Sequence, residues 1–247
     1  MRRVLIAVSY GSPNEARLME DIGLVEGAVR AAFPDWELLR AFTSGLMRRK
    51  MGEQGIPVFS ASEAVAYARS QGAERILLAS LLISPGGEHD LLCAGVPGLP
   101  VTTPLLASDA DLTRVAALAG RMQALCGTPL VLMGHGNAQR DNAAYMRLKE
   151  RLPAGVSLAC LEGTGSLSQL LPRLLAQPQR HITLLPLLMS VGAHTLRDMA
   201  GDGPESWRSR LVQAGFQVDC LCQGLGRQPD VQQIFVDKIR RLISSAA

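Results

Sequence analysis

Three side chains with metal-binding chemistry follow apolar runs in the second half of the sequence. His135 lies in the segment MGHGN directly after one such run, Glu162 ends the next run, and His194 follows a third. Successive members are about 30 residues apart, the length of one strand–helix–strand step. Because each step returns the chain to the same edge of a parallel sheet, we expect the two imidazoles and the carboxylate to converge there on a divalent cation.

Each of these residues also has an ordinary structural interpretation. A histidine after a strand is commonly hydrogen-bonded to its surroundings, and a glutamate at a strand end is commonly solvated. The metal hypothesis therefore depends on the convergence of all three side chains. His181 precedes a strand and would lie at the opposite edge of the sheet, so we interpret it as structural.

Basic residues indicate a ligand with negative charge. Arg40 lies near the end of one predicted strand, Arg48, Arg49 and Lys50 follow it, and Arg197 lies in the segment HTLRD. Guanidinium groups bind carboxylates through two parallel hydrogen bonds, so such a rim suits a ligand with several carboxylates. Taken by themselves, the three residues from Arg48 to Lys50 are interpreted as a solvated helix face.

The candidate residues lie within a repeated strand–helix pattern. Segments with helical spacing of apolar residues lie between short apolar runs, and Ser60 with Glu63 forms the capping-box pattern of a helix start. This alternation predicts an α/β fold with parallel sheets flanked by helices. The predicted strands are Val4–Val8, Leu38–Phe42, Ile76–Ile83, Val101–Leu106, Leu130–Met133, Val156–Leu161, Ile182–Met189 and Phe216–Leu221.

A short internal echo relates the two halves of the sequence. The segment LIAVSYG near the start is similar to LVLMGHG in the middle, and SLLISPGGE is similar to PLLMSVGAH. These alignments place Tyr10 opposite His135 and Glu88 opposite His194. Chance similarity between buried strands is the alternative explanation.

The echo predicts two similar subdomains. We expect an N-terminal subdomain over 1–126 and a C-terminal subdomain over 127–247 that is closed by a helix over 229–245. Each subdomain would hold a four-stranded parallel sheet flanked by helices. The active site would then lie in the cleft between the two subdomains.

Composition excludes several classes of protein. The 247 residues are 47% hydrophobic, 19% charged and 4% aromatic, which excludes a disordered or coiled-coil chain. A net charge of +3 with few aromatic residues argues against a nucleic-acid partner. No apolar run is long enough to span a bilayer, and we expect no signal peptide. Five cysteines without C-x-x-C spacing are interpreted as buried apolar residues in a reducing cytoplasm.

Nucleotide-binding motifs are incomplete. The segments SYGSPNEA and EGTGSLSQ lack the three glycines of a dinucleotide-binding turn, and neither a Walker A nor a G-x-S-x-G sequence is present. Dinucleotide binding is therefore disfavoured.

Together, the motifs resemble those of a known enzyme family. VSYGS, RAFTSG, MGHG, the glutamate closing the next strand, LMSVGAHTLRDMAGD followed by SW, and GLG before the last helix are similar, in this order, to the sirohydrochlorin cobaltochelatases of anaerobic cobalamin synthesis. The resemblance implies a two-subdomain α/β chelatase fold shared with protoporphyrin ferrochelatase, with His135, Glu162 and His194 as the metal ligands. It implies that Co²⁺ is inserted into sirohydrochlorin with release of two protons, without an organic cofactor or ATP.

Under this resemblance the remaining candidate residues would bind the macrocycle or accept its protons. The eight carboxylates of sirohydrochlorin would be drawn to the basic rim that includes Arg40, Arg48 and Arg197, with Tyr10 as a further substrate-binding residue. Glu88 would take protons from the side of the ring opposite the metal. A neutral imidazole accepts a proton near neutral pH, so a metal ligand is a second candidate for the base.

Several alternatives stay open. Iron insertion into sirohydrochlorin, for sirohaem, would use the same donors, since cobalt and iron differ in affinity by degree rather than in kind. Precorrin-2 is an alternative substrate, and a non-catalytic metal or tetrapyrrole carrier would bind the same ligands without turnover. A periplasmic binding protein also has two α/β lobes, but the expected absence of an export signal counts against it. The oligomeric state and any haem binding are left open.

Overall fold

The computed structural model describes residues 2–139 and 141–245, which form two compact units. The first unit comprises the chain up to residue 107 together with residues from 226 onward, and the second comprises Ser108–Leu225. The strands are β1 (Arg2–Ser9), β2 (Glu37–Phe42), β3 (Ala73–Ser80), β4 (Leu130–Gly136), β5 (Val156–Glu162), β6 (His181–Pro186) and β7 (Gln217–Cys220). The α-helices are α1 (Glu15–Ala32), α2 (Gly45–Gly52), α3 (Ala61–Ser70), α4 (Gly87–Gly95), α5 (Asp109–Cys126), α6 (Ala143–Lys149), α7 (Leu167–Leu175), α8 (Trp207–Gln213) and α9 (Pro229–Ser245). A π-helix spans His194–Met199 and a 3₁₀-helix spans Leu225–Arg227.

A parallel sheet with the strand order β2–β1–β3 forms the centre of the first unit. One face packs against α3 through a buried core that includes Val4, Ile6 and Val8. Ser60 Oγ accepts a hydrogen bond from the Glu63 N–H, and the Glu63 carboxylate accepts one from the Ser60 N–H. The predicted capping box at the start of α3 is therefore confirmed.

The second unit is built on a parallel sheet with the order β5–β4–β6–β7. A buried core that includes Val131, Leu170 and Trp207 joins the sheet to α7 and α8. Because the strands are parallel, the carboxyl ends of β4, β5 and β6 lie at one edge of the sheet. The predicted α/β fold with parallel sheets flanked by helices is confirmed, and this edge carries the candidate residues His135 and Glu162.

The first sheet has three strands instead of the predicted four, and the prediction of a strand over Val101–Leu106 is wrong. Val101 forms an isolated bridge with Leu78, beside a 2.9 Å hydrogen bond from the Thr102 N–H to the Leu78 carbonyl. Pro104 has no N–H to extend the ladder. An apolar run therefore lies along β3 without becoming a regular strand.

The boundaries between the two units lie before Ser108 and after Leu225, whereas the sequence predicted one boundary near residue 127. Helix α5 belongs to the second unit, and α9, which was expected to close the C-terminal subdomain, belongs to the first. Helix α9 packs against α1, and Arg227 ahead of it donates from Nε to the buried Asp21 Oδ1 at 2.8 Å. Strand–helix alternation in a sequence does not specify which sheet a helix covers. For α9, the packing of its apolar stripe places it in the first unit.

Helices that could cross a lipid bilayer are absent from the residues that the structure describes. The 18-residue helices α1 and α5 both carry charged side chains within their length.

The carboxyl ends of β4 and β5 approach each other too closely for a side chain at Gly136. Gly136 has a φ of +74°, and an added Cβ would lie 2.1 Å from the Glu162 carbonyl oxygen. A positive φ is unfavourable for residues with a Cβ, and a contact this short would push the two strand ends apart. Glycine is therefore required at the position where β4 presents His135.

Replacing Gly136 by alanine is expected to lower the free energy of unfolding by about 3 kcal/mol, because the strain of a positive φ and the clash with β5 add. Gly127→Ala is the matched control, since Gly127 has a φ of +70° and no atom lies within 4 Å of an added Cβ. This control is expected to lose about 1 kcal/mol. Urea denaturation of both variants measures the difference, and equal losses would show that the close approach does not matter.

Candidate metal site

His135 lies at the carboxyl end of β4 with its ring partly exposed. Its Nδ1 is 2.9 Å from the Gly136 carbonyl oxygen. A carbonyl only accepts hydrogen bonds, so Nδ1 carries the proton and the neutral ring keeps its lone pair on Nε2. Nε2 is therefore the atom of His135 that can bind a cation.

The chain that follows β6 brings His194 to His135. His194 begins the π-helix, a geometry that is frequent at functional sites. The centroids of the two imidazole rings are 4.7 Å apart, and the ring planes meet at 88°. The structure thus places two of the three predicted metal ligands in edge-to-face contact, although they are far apart in sequence.

Asp198 fixes the orientation of His194. Its Oδ2 lies 2.7 Å from the His194 Nδ1, and Arg197 donates from Nε to its Oδ1 at 2.7 Å. The hydrogen bond from Arg197 holds the pKa of the Asp198 carboxyl below its usual value, and the contact with His194 lowers this pKa further, against the opposing effect of burial. The carboxylate therefore accepts the Nδ1 proton of His194 and leaves the lone pair on Nε2. Carboxylates in this position orient metal-binding imidazoles and make them more basic.

Glu162 lies one strand away from His135, and its side chain is exposed. In the register of the sheet, Glu162 of β5 pairs with Gly136 of β4. Within residues 2–139 and 141–245, no group of three or more His, Cys, Asp or Glu side chains is already arranged to hold a metal. The structure therefore contains an assembled pair of imidazoles, and the role of Glu162 as the third ligand stays a prediction.

Asn142 joins the loops that follow β4 and β5, a role that the sequence did not reveal. Its Oδ1 accepts from the Asn137 N–H at 2.9 Å, and its Nδ2 donates to the carbonyls of Glu162 and Thr164 at 2.8 and 2.9 Å. The Asn142 side chain is buried, so these bonds set the separation of the two loops. The sequence signal for Asn142 was its place at a predicted helix start, whereas for Asp198 it was the His-x-x-x-Asp spacing.

Arg40 is held in an ion pair, and its role in binding carboxylates of the substrate stays a prediction. Its Nε donates to Glu26 Oε1 at 2.8 Å, and its Nη2 donates to Glu26 Oε2 at 2.6 Å. Glu26 on α1 is buried, and its hydrogen bond raises the pKa of the Arg40 guanidinium. This two-pronged ion pair uses the Nε and Nη2 donors of Arg40 and joins β2 to α1.

The other basic candidates are at the surface. Arg48 is partly buried and donates from Nη1 to two backbone carbonyls at the carboxyl end of β2. Arg49 and Lys50 are exposed on α2. The Arg197 side chain is 74% exposed despite its ion pair with the neighbouring aspartate. The role of these four residues in binding carboxylates stays a prediction.

Tyr10 and Glu88 both follow strands of the first unit. Tyr10 comes directly after β1 and is half exposed. Glu88 lies in the first turn of α4, a helix that the sequence analysis did not predict, and its side chain is exposed. Because β1 and β3 are parallel, both residues follow the carboxyl ends of their strands. Their roles in substrate binding and proton transfer stay predictions.

The sequence is similar over its whole length to known cobaltochelatases. It is 31% identical over 261 residues to a sirohydrochlorin cobaltochelatase of Salmonella typhimurium (strain LT2), an alignment that covers 100% of this chain and 98% of the relative. It is 29% identical over 262 residues to the sirohydrochlorin cobaltochelatase CbiKC of Nitratidesulfovibrio vulgaris (strain Hildenborough), covering 99% of this chain and 92% of the relative.

The fold is similar to that of CbiX, described as the terminal enzyme for the biosynthesis of siroheme in denitrifying bacteria. The TM-score is 0.57 at 18% sequence identity, and the match covers 97% of this chain and 99% of the other. At this identity the likeness shows a shared fold alone. The model of the cobalt chelatase (CbiK) family matches residues 3–244, which confirms the resemblance seen in the motifs. This protein therefore belongs to the cobalt chelatase (CbiK) family.

Proposed function

We propose that this protein inserts Co²⁺ into sirohydrochlorin and releases two protons, as a step of anaerobic cobalamin synthesis. The observation that carries the proposal is the contact between His135 and His194, which both use Nδ1 for a hydrogen bond and keep Nε2 for a cation. The names of the two relatives support this choice of macrocycle and metal.

A pair of imidazoles suits an ion that must be bound and then released. Imidazole nitrogen is a good ligand for divalent first-row metals. A closed set of four protein ligands is typical of a structural site, whereas a site that exchanges ligands keeps open positions. In this proposal Glu162 adds a third ligand from the neighbouring strand, and the pyrrole nitrogens replace the remaining water.

Metal insertion also needs a base for the two pyrrole protons. A histidine that donates from Nδ1 and binds cobalt through Nε2 has no lone pair left for a proton. His135 and His194 can therefore accept protons only after the metal has left them. This leaves a carboxylate outside the metal site as the base during insertion, and we assign the step to the exposed Glu88.

The carboxylates of sirohydrochlorin need partners at the protein surface. Arg48, Arg49 and Arg197 are the guanidinium groups that we assign to them, since these groups bind carboxylates bidentately. Arg40 is a further candidate, although it already donates from Nε and Nη2 to Glu26. Tyr10, half exposed beyond β1, supplies an aromatic face and a hydroxyl for the macrocycle.

We also propose that the protein is cytoplasmic. The five cysteines all lie among the described residues and none forms a disulfide, which is the usual state in a reducing compartment.

Removing either imidazole tests the proposed function. His135→Ala and His194→Ala are expected to lower the rate of cobalt insertion about 100-fold or more, because each removes one of the two assembled ligands. Binding of sirohydrochlorin should be largely retained. Insertion is followed under anaerobic conditions through the visible spectrum of the macrocycle, and its binding through the quenching of its fluorescence. His181→Ala is the matched control, since His181 begins β6 at the opposite edge and pairs with Asp219.

Each result of this test has a defined meaning. Undiminished insertion by both variants would overturn the proposed function. Binding of both substrates without turnover by the unaltered protein would identify a carrier rather than an enzyme. Faster insertion of Fe²⁺ than of Co²⁺ would identify a sirohaem-type ferrochelatase.

Asp198→Asn tests whether the negative charge of Asp198 strengthens His194 as a metal ligand. The amide can still accept the Nδ1–H hydrogen bond but lacks the negative charge that makes Nε2 more basic, so we expect cobalt insertion about 10- to 100-fold slower. Asp202→Asn is the control, because Asp202 is an exposed aspartate that pairs with Arg208. Steady-state kinetics with varied Co²⁺ distinguish weaker metal binding from a slower insertion step. Equal rates for the two variants would show that the charge of Asp198 has no part in metal handling.

A further inference from the structure

An imidazole and a thiol lie together in the first unit and have no part in the reaction described above. His89 and Cys93 are one turn apart on α4, and the His89 Nε2 is 3.6 Å from the Cys93 Sγ. Cys93 is exposed and His89 is partly buried. We propose that His89 and Cys93 form a second metal site, which binds a divalent cation with affinity for sulfur, such as Zn²⁺ or Co²⁺, with water in the remaining positions.

The separation of the two atoms fits ligands of a single tetrahedral ion. Metal–nitrogen distances near 2.0–2.1 Å and metal–sulfur distances near 2.3 Å place the nitrogen and sulfur about 3.6 Å apart at the tetrahedral angle. The observed distance is 3.6 Å. A hydrogen bond between thiol and imidazole has the same separation, so the cation takes the place of the shared proton without a change in backbone.

Ser80 holds the ring of His89 in the orientation that binding requires. The Ser80 Oγ lies 3.1 Å from the His89 Nδ1, and Ser80 is fully buried at the end of β3. Histidines that bind metals characteristically use their other ring nitrogen for such a hydrogen bond. When Nδ1 donates to Ser80, the lone pair of His89 is on Nε2, next to the sulfur.

The protonation states define what binding must change. Burial lowers the pKa of His89, while Asp90 opposes and Lys238 adds to this effect, so the ring is neutral at neutral pH. Burial, with a smaller effect of Asp90, raises the pKa of the Cys93 thiol. Binding therefore forms one metal–nitrogen and one metal–sulfur bond, breaks the S–H bond and releases one proton to solvent.

Co²⁺ is the probe for this site, because a cobalt–thiolate bond gives a charge-transfer band in the near ultraviolet that nitrogen and oxygen ligands do not give. The ion is titrated into the whole protein under anaerobic conditions with a phosphine reductant. We expect a band that saturates, that disappears in Cys93→Ser, and whose half-saturating Co²⁺ concentration rises at least tenfold in His89→Ala. Cys222→Ser is the matched control, since Cys222 is also an exposed cysteine, and it should retain the band.

The same titration separates this site from the pair of imidazoles. The band should persist in His135→Ala and His194→Ala, whatever these variants do to insertion. Absence of the band from the unaltered protein, or its persistence in Cys93→Ser, would overturn the second site without affecting the proposed function. Circular dichroism establishes that each variant is folded.

Discussion

The edge-to-face contact between two imidazole rings depends on how the strand ends and loops at one edge of the second sheet are arranged. Each ring is held through Nδ1, His135 by a backbone carbonyl and His194 by a carboxylate. Both Nε2 atoms are thereby left with lone pairs, and under the proposed function this choice of tautomer lets the pair bind a metal. Parallel pairing of β4 and β6 brings the two segments to one edge, Gly136 lets β4 and β5 close together, and Asn142 sets the spacing of the loops.

The hydrogen-bond partners of the two rings differ in charge. His135 donates to a neutral carbonyl, whereas His194 donates to Asp198, whose negative charge Arg197 stabilises. An imidazole backed by a carboxylate is the more basic donor. Under the proposed function, Asp198 therefore makes His194 the stronger ligand of the two.

The sequence predicts the features that depend on periodicity and on the geometry of parallel strands. The meeting of His135 and His194 follows from strand ends sharing one edge, and the start of α3 follows from its capping residues. The partner of Arg40 could not be predicted in this way, because a sequence shows a charge but not the buried Glu26 that faces it from α1. The predicted fourth strand of the first sheet is absent because the run Val101–Leu106, although it has the apolar composition of a strand, contains Pro104. Pro104 has no N–H to donate to a neighbouring strand.

The sequence also did not predict features that depend on packing between distant segments. The contact between His194 and Asp198 depends on the helix that begins at His194, and the sequence did not predict this helix. Glu162 pairs in register with Gly136 at an exposed strand end, and among the described residues its carboxylate is not part of a ready-made metal site. The unit to which α9 belongs depends on which sheet has an uncovered face, and no pattern within α9 records this.

The assignment of α9 to the first unit has a consequence for how the protein is made. The second unit is a single uninterrupted stretch, whereas the first needs residues from both sides of it. During translation all of the second unit leaves the ribosome before α9 does. The rings of His135 and His194 can thus be in place while β1, β2 and β3 still await their last helix, and the half of the protein that is synthesised first is the last to be completed.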